Sequence, residues 1–339
     1  MLSLSGITFH GHGLNRPECV LTHQSGLLLT ADWTDGGGVA IIEPSGRVSR
    51  HLARNPPRPL RPNGIALERG GSILLTELGA ETGGVWRLHP DGMTEPVLLE
   101  VEGAPLPPAN FVHLDAAGRM WVTVSTRMMP RHLAARGDVA DGFIVLVEDG
   151  RARIVADGIG FSNECLVSPD GRHLYVNETF ARRLTRFTIR DGGLHGQHVV
   201  TSFGPGTYPD GMTFDCEGHL WITSIVSNRV IRVSPDGEQT LVLEDADPDH
   251  VAHVEEAYAT NSIERSHLDT MKSRKLRAIS SLAFGGPDLR VAYLGCLQGE
   301  SIASFECPIA GAAPVHWALP IDALQRRIAD LPALAPTPS

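Results

Sequence analysis

Short apolar runs broken by Gly-containing turns fill most of this chain, and they fall into a unit that recurs. Each copy opens on a polar residue, passes through an apolar stretch, meets a Gly eight positions on, and enters a second apolar stretch. The copies are ECVLTHQSGLLLTADW from Glu18, NGIALERGGSILLTEL from Asn63, NFVHLDAAGRMWVTVS from Asn110, NECLVSPDGRHLYVNET from Asn163 and DGMTFDCEGHLWITSI from Asp210. SSLAFGGPDLRVAYLGCL from Ser280 is a sixth copy with a longer turn, and the intervals between starting residues are 45, 47, 53, 47 and 70. A second hairpin signal follows each copy, as in VAIIEPSGRVSRHL and VIRVSPDGEQTLVL. Apolar runs joined by Asp-Gly, Ser-Gly or Gly-Gly read as strands and tight turns. Each unit therefore supplies about four strands, the content of one propeller blade. The fold class is all-β: a single six-bladed β-propeller over residues 1–339. An open solenoid is the competing arrangement, but six short meanders without distinct capping repeats favour closure.

Closure needs the last edge covered, so the N-terminal segment Leu2 to Phe9 is expected to pair with the last blade. Two stretches interrupt the repeat. One is Thr126 to Gly142. The other, Glu244 to Ile279, is rich in helix formers, and its Val251, Val254, Ala257 and Tyr258 share one helix face. Both inserts are expected on a propeller face, as covers of the channel mouth or, equally, as surface decoration or a subunit contact. The Pro-rich end, about 330–339, reads as a flexible tail.

Equivalent positions of successive blades are related by rotation, so the six starting residues should converge on the channel. They are Glu18, Asn63, Asn110, Asn163, Asp210 and Ser280, all with oxygen-bearing side chains. Asn63-Gly64 and Asp210-Gly211 also read as turn pairs, whereas the residues after Glu18, Asn110 and Asn163 are not turn formers. Two carboxylates and several amides around one axis call for a neutralising ion. All-oxygen donors without clustered thiolate or imidazole select a hard divalent cation, Ca²⁺ first, with Mg²⁺ and Mn²⁺ next and Zn²⁺ or Fe²⁺ as further candidates.

Composition changes the picture only at its edges. A formal charge of −10 argues against nucleic acid or an anionic membrane as partner. No run approaches a membrane span, and the N-terminus has no signal-peptide pattern. Five cysteines without CxxC spacing favour a reduced, cytoplasmic protein over a disulfide scaffold. GxxxxGK[ST], GxSxG and HExxH are absent. His10 with His12, and His250 with His253, are spaced for a metal but read better as packed or solvated side chains. Trp121 and Trp221 hold the same place in their repeats and read as blade core. The oligomeric state is open, a homo-oligomer included.

The segments RPECV around Glu18, RPNGIAL around Asn63, FSNECLVSPDGRHLYVNET around Asn163, YPDGMTFDCEGHLWIT around Asp210 and SSLAFGGPDLRVAYLG near the end resemble the SMP-30/gluconolactonase/LRE-like family of six-bladed propellers. The resemblance implies Glu18, Asn163 and Asp210 as metal ligands and Asp210 also as general base. It places Asn110 on the metal or the substrate; Asn63 and Ser280, as converging positions, and Phe111 beside Asn110 are expected to bind substrate with it. The chain departs from that pattern in three places. Phe111 follows Asn110 where Asp is usual, Glu164 follows Asn163 where Gly is usual, and Pro108 stands where sugar-lactonase members have Arg. A pocket so altered is expected to prefer a less hydroxylated substrate than gluconolactone.

The expected activity is metal-dependent hydrolysis of a small lactone, with the cation polarising the carbonyl and a carboxylate taking the proton of the attacking water. Phosphotriester hydrolysis at the same cation, or non-catalytic binding of calcium or a metabolite, are the alternatives.

Overall fold

A computed structural model describes residues 1–79, 81–270 and 272–335. The described residues form six four-stranded antiparallel sheets. Blade I is Val20–Thr22, Leu28–Asp32, Gly38–Ile42 and Val48–Leu52; blade II is Pro62–Leu67, Ile73–Glu77, Gly84–Leu88 and Thr94–Leu98. Blade III is Ala109–Leu114, Met120–Val124, Gly142–Glu148 and Arg151–Ile159; blade IV is Ser162–Val167, His173–Glu178, Arg183–Arg190 and Gly193–Ser202. Blade V is Pro209–Phe214, Leu220–Ser224, Arg229–Val233 and Gln239–Glu244. Blade VI takes Ile279–Gly285, Val291–Cys296 and Ile302–Glu306 from the end of the chain and Thr8–His10 from its start. The first strand of every blade packs against the first strands of both neighbours, blade VI against blade I included, so the ring is closed.

Alternation explains why the blades stack. Successive strand residues face opposite sides, and here both sides meet another blade. Accordingly each of the six interfaces holds its own apolar cluster. Trp121 and Leu146 of blade III meet Cys165 and Val176 of blade IV, for example, and Trp221 of blade V meets Phe284 of blade VI. Trp121 and Trp221 are core, and each indole N–H donates at 2.9 Å to the Asp six positions earlier, Asp115 or Asp215.

The ring closes as expected, but with a shorter strand. Thr8–His10 pairs with Ile302–Ser304, while Leu4–Gly6 is a 3-10 turn because the Ser3 hydroxyl accepts from the Ser5 N–H. The tail is also not free along its whole length. Helix α3, Asp322–Asp330, docks Leu324 and Ile328 on the blade I–II core, and beyond it the Leu334 N–H donates to the Val48 carbonyl at 2.8 Å. Residues 336–339 of the expected flexible tail lie outside the described residues.

The second insert holds helix α1, Pro248–Ala259, with Asp247 as its N-cap and Pro248 in its first turn, and helix α2, Arg265–Asp269. α1 buries Val254 and Ala257, with Val251 and Tyr258 partly covered, on Phe180, Tyr208 and Ile225 at the end of the ring where the first strands begin. Ala135 of the first insert joins the same cluster, so the two inserts pack together over that face. No helix among the described residues is long and apolar enough to cross a membrane. All five cysteines are free thiols, four of them buried.

Candidate metal centre and substrate pocket

Each of the five site positions in blades II to VI lies at a break in strand register: between Pro62 and Ile65, Ala109 and Phe111, Ser162 and Cys165, Pro209 and Met212, and Ile279 and Ser281. In blade I the strand begins just after Glu18 and Cys19. A bulge re-aims one side chain without disturbing the alternation beyond it. This is how a polar residue at the head of each apolar strand is presented to the axis. Asn63-Gly64 and Asp210-Gly211 are thus not turns; they lie inside strands. Their glycines are required by close approach: a Cβ on Gly211 would sit 2.5 Å from the Ser281 Cα, and one on Gly64 would sit 2.7 Å from the Phe111 Cα.

All six starting residues are buried. Neighbouring blades fix them. The Asn163 amide donates to Thr179 Oγ1 at 3.0 Å, and that hydroxyl donates to the Pro209 carbonyl at 2.8 Å. Asn177 donates to the Asp210 carbonyl at 2.9 Å. The Asn63 amide donates to the Asn110 carbonyl at 3.0 Å, and Asn110 donates to Ser125 Oγ at 3.0 Å. Ser280 Oγ donates to the Glu18 carbonyl at 2.9 Å, joined there by Ser281 Oγ at 2.6 Å, which ties blade VI to blade I at the site. The Phe111 ring packs against the cores on either side of it.

This bonding turns the amide N–H groups away and leaves oxygens uncommitted. Glu18 Oε2, Asn63 Oδ1 and Asn163 Oδ1 are buried without a hydrogen-bond partner. Buried acceptors in that state cost roughly 1–3 kcal/mol each, and a hard cation accepts such a donor set. The residues therefore fit a divalent ion. Among the described residues no group of three or more His, Cys, Asp or Glu side chains is spaced to hold a metal, so the fit depends on amide oxygens. His253 stacks on His267 with ring centroids 4.8 Å apart, and His10 is hydrogen-bonded to Ser304 at 2.7 Å.

Burial pushes the Asp210 carboxyl well above the usual range, and the charge of Glu18 adds to the shift; Arg16, Arg131 and the Asn163 amide pull it back. Glu18 is raised by burial against the pull of Arg16, Arg131 and Arg265. Glu164, which Gly would replace in the usual family pattern, is also buried at the axis. Burial raises its pKa, the Met212 N–H donated to its Oε2 at 2.9 Å lowers it, and Asp210 and Glu18 raise it further.

Sequence reasoning missed the three arginines. Arg16 lies two residues before Glu18 and pairs with its Oε2 at 3.6 Å. Arg131, from the first insert, donates to Ser125 Oγ at 2.8 Å, one hydroxyl away from Asn110. Arg265 is the first residue of α2. The loss of an arginine at Pro108 is thus offset by others from outside the repeat, and the mouth is more cationic than the sequence implied. Only Arg16, inside RPECV, stood next to a recognisable signal.

A closed six-bladed propeller with buried oxygen donors converging at one end of its channel defines the class. Residues 17–246 match the model of the SMP-30/gluconolactonase/LRE-like region. The chain belongs to that family. It is 29% identical over 232 residues to a 6-deoxy-6-sulfogluconolactonase of Pseudomonas putida, covering 67% of this chain and 65% of that one. It is 27% identical over 196 residues to a pentonolactonase of Haloferax volcanii, covering 56% and 54%. The chain thus spans less than two thirds of the length of either relative. A crystal structure of the calcium-binding protein regucalcin from Agrobacterium tumefaciens superposes with a TM-score of 0.63 at 17% identity, covering 92% of this chain and 98% of that one.

Proposed function

We propose that the protein hydrolyses lactones at a divalent cation held by Glu18, Asn163 and Asp210. The observation that carries this reading is a pair of buried oxygens that accept no hydrogen bond, Asn163 Oδ1 and Glu18 Oε2, the latter only in a long 3.6 Å ion pair with Arg16, beside the Asp210 carboxyl. Two lactonase relatives support the reaction, and the calcium-binding relative in fold supports the choice of Ca²⁺. Bound there, a cation supplies Lewis acidity to the ester carbonyl oxygen. Asp210 takes a proton from the water whose oxygen bonds to the carbonyl carbon, and the ring C–O bond breaks as the carbonyl re-forms. Asp210 passes that proton to the freed alkoxide oxygen, giving a hydroxycarboxylic acid that ionises in solution. Asn63 and Asn110 orient the lactone, Phe111 and Ser280 complete the pocket wall, and the inserts limit access of bulk water.

The test is a screen of lactones and phosphotriesters against the chelated protein reloaded with Ca²⁺, Mg²⁺, Mn²⁺, Zn²⁺ or Fe²⁺. Lactone turnover that disappears with chelator is expected. Phosphotriester turnover alone, or cation binding with no turnover of either class, would replace this reading.

A further inference from the structure

The three arginines at the channel mouth come from unrelated parts of the chain. Arg16 is in the loop before blade I, Arg131 is in the first insert, and Arg265 is on α2 of the second. Arg16 reaches Glu18 directly at 3.6 Å, and Arg131 shares the Ser125 hydroxyl with Asn110. Arg265 is brought alongside by Asp269, which accepts from Gln298, two residues after Cys296, whose N–H donates to the Pro17 carbonyl. None is fully spent on a partner. Arg16 stacks 4.5 Å from the Trp33 ring, its Nε is buried with no acceptor, and its pairing with Glu18 is long at 3.6 Å. Arg131 lies 5.1 Å from the Phe161 ring and is held by a neutral hydroxyl, Ser125 Oγ, at 2.8 Å. Arg265 pairs with Asp269 at 2.6 Å, but that carboxylate is shared with Gln298, which donates to it at 2.9 Å.

Formal charges decide what this arrangement awaits. Glu18, Glu164, Asp210 and Asp269 are four carboxylates against three guanidiniums, near balance. A divalent cation tips the mouth to a positive surplus in a largely buried setting, where uncompensated charge is costly. A neutral lactone does not relieve that surplus. An anionic group does, and guanidinium donors are matched to oxyanions in geometry and strength.

We propose that the pocket selects lactones bearing an anionic substituent, such as a carboxylate, sulfonate or phosphate, held by Arg16, Arg131 and Arg265 away from the scissile ester. This rests on the lactonase reading for its substrate class, but its test does not depend on turnover. D-gluconate, D-glucarate and 6-phospho-D-gluconate are titrated calorimetrically into Ca²⁺-loaded protein, wild type and variants. One charge-assisted contact is worth roughly tenfold in affinity. The two dianionic or more highly charged probes are therefore expected to bind at least about tenfold tighter than gluconate, and whichever leads ranks a second carboxylate against a phosphate. Arg265→Gln, whose side chain is 57% exposed and so is safe for the fold, and Arg131→Met are each expected to narrow that gap several-fold. Equal affinity for all three probes in wild type, or a gap that survives both substitutions, overturns the proposal. Chelator-sensitive hydrolysis of a neutral lactone without the affinity gap removes this proposal and keeps the lactonase. An arginine-dependent gap without any lactone turnover keeps the arginine oxyanion site and removes the lactonase reading, and with it the lactone as the group that carries the anion.

Discussion

Replacing Asp210 with Asn should separate proton chemistry from charge, because the two predict opposite effects on activity and on stability. The amide keeps the size and one oxygen donor but cannot take a proton from water. General-base catalysis contributes about 10²–10⁴-fold, or about 2.7–5.4 kcal/mol of barrier, and a rate loss of that order is expected at saturating metal. Without metal the same change should stabilise the fold. Burial and the charge of Glu18 both raise the cost of ionising Asp210. Two unit charges about 6 Å apart at an effective dielectric of about 20 repel by about 3 kcal/mol. Arg16 and Arg131 offset part of this, so a net gain of about 1–2 kcal/mol is expected. With an unfolding entropy of about 2.1 cal/mol/K per residue, a chain of 339 residues converts that gain to a rise in Tm of about 1.5–3 °C. The assays are calorimetric melts in chelator and initial rates across a metal titration. A lower Tm for the variant in chelator would refute the electrostatic argument. Full rescue of its rate by added metal would refute the general-base role and leave Asp210 a ligand only.

Three further outcomes follow from the same geometry. Glu18→Gln should weaken metal binding with modest loss at saturation, so its rate should recover with excess metal where that of Asp210→Asn does not. In chelator, Glu18, Asp210 and Glu164 are raised above their unfolded values near 4 and should cost stability as pH rises past those values, while His113 and His316, lowered by burial to about 4, add stability up to their unfolded value near 6.5. Ca²⁺ should remove the carboxyl cost, so the gain in Tm on adding Ca²⁺ should grow as pH rises above about 4. Asp115, Asp215 and Asp245 are lowered and act only at more acidic pH; a Ca²⁺-induced gain in Tm that does not change with pH would contradict the assignment. Gly211→Ala should lower stability by about 1–3 kcal/mol through overpacking against blade VI and should reduce metal affinity at the same time, as read by melts and calorimetric titration; a variant with wild-type Tm would show that the strand yields.

The fold was legible because a closed ring repeats its constraints: a polar head, an apolar strand and a Gly turn eight residues on recur in five units. The convergence of Glu18, Asn63, Asn110, Asn163, Asp210 and Ser280 was legible for the same reason, since rotation maps one onto the next. What escaped was whatever the repeat does not carry. Arg131 and Arg265 sit in inserts with no equivalent in other blades, and only packing of Ala135 and Val254 into one cluster brings those inserts over the channel. The buried role of Glu164 was hidden because a charged residue after Asn163 looks solvated until the bulge turns it inward. The bulges themselves leave no mark on the apolar pattern. Helix α3, just before the segment read as tail, went unread because its two anchoring residues, Leu324 and Ile328, are too few to signal a helix.

Blade VI has a consequence for how the chain is made. His10 and its partner Ser304 are 294 positions apart, so at a synthesis rate of about 5–20 residues per second the first strand leaves the ribosome about 15–60 s before its partner exists. Throughout that interval the nascent chain carries blades with unsatisfied edges and half of an apolar interface open at each end. Truncated or stalled products must remain sticky, whatever the stability of the finished ring. Chaperone demand during expression should therefore depend on completing the last fifty or so residues, and not on the intrinsic quality of any one blade.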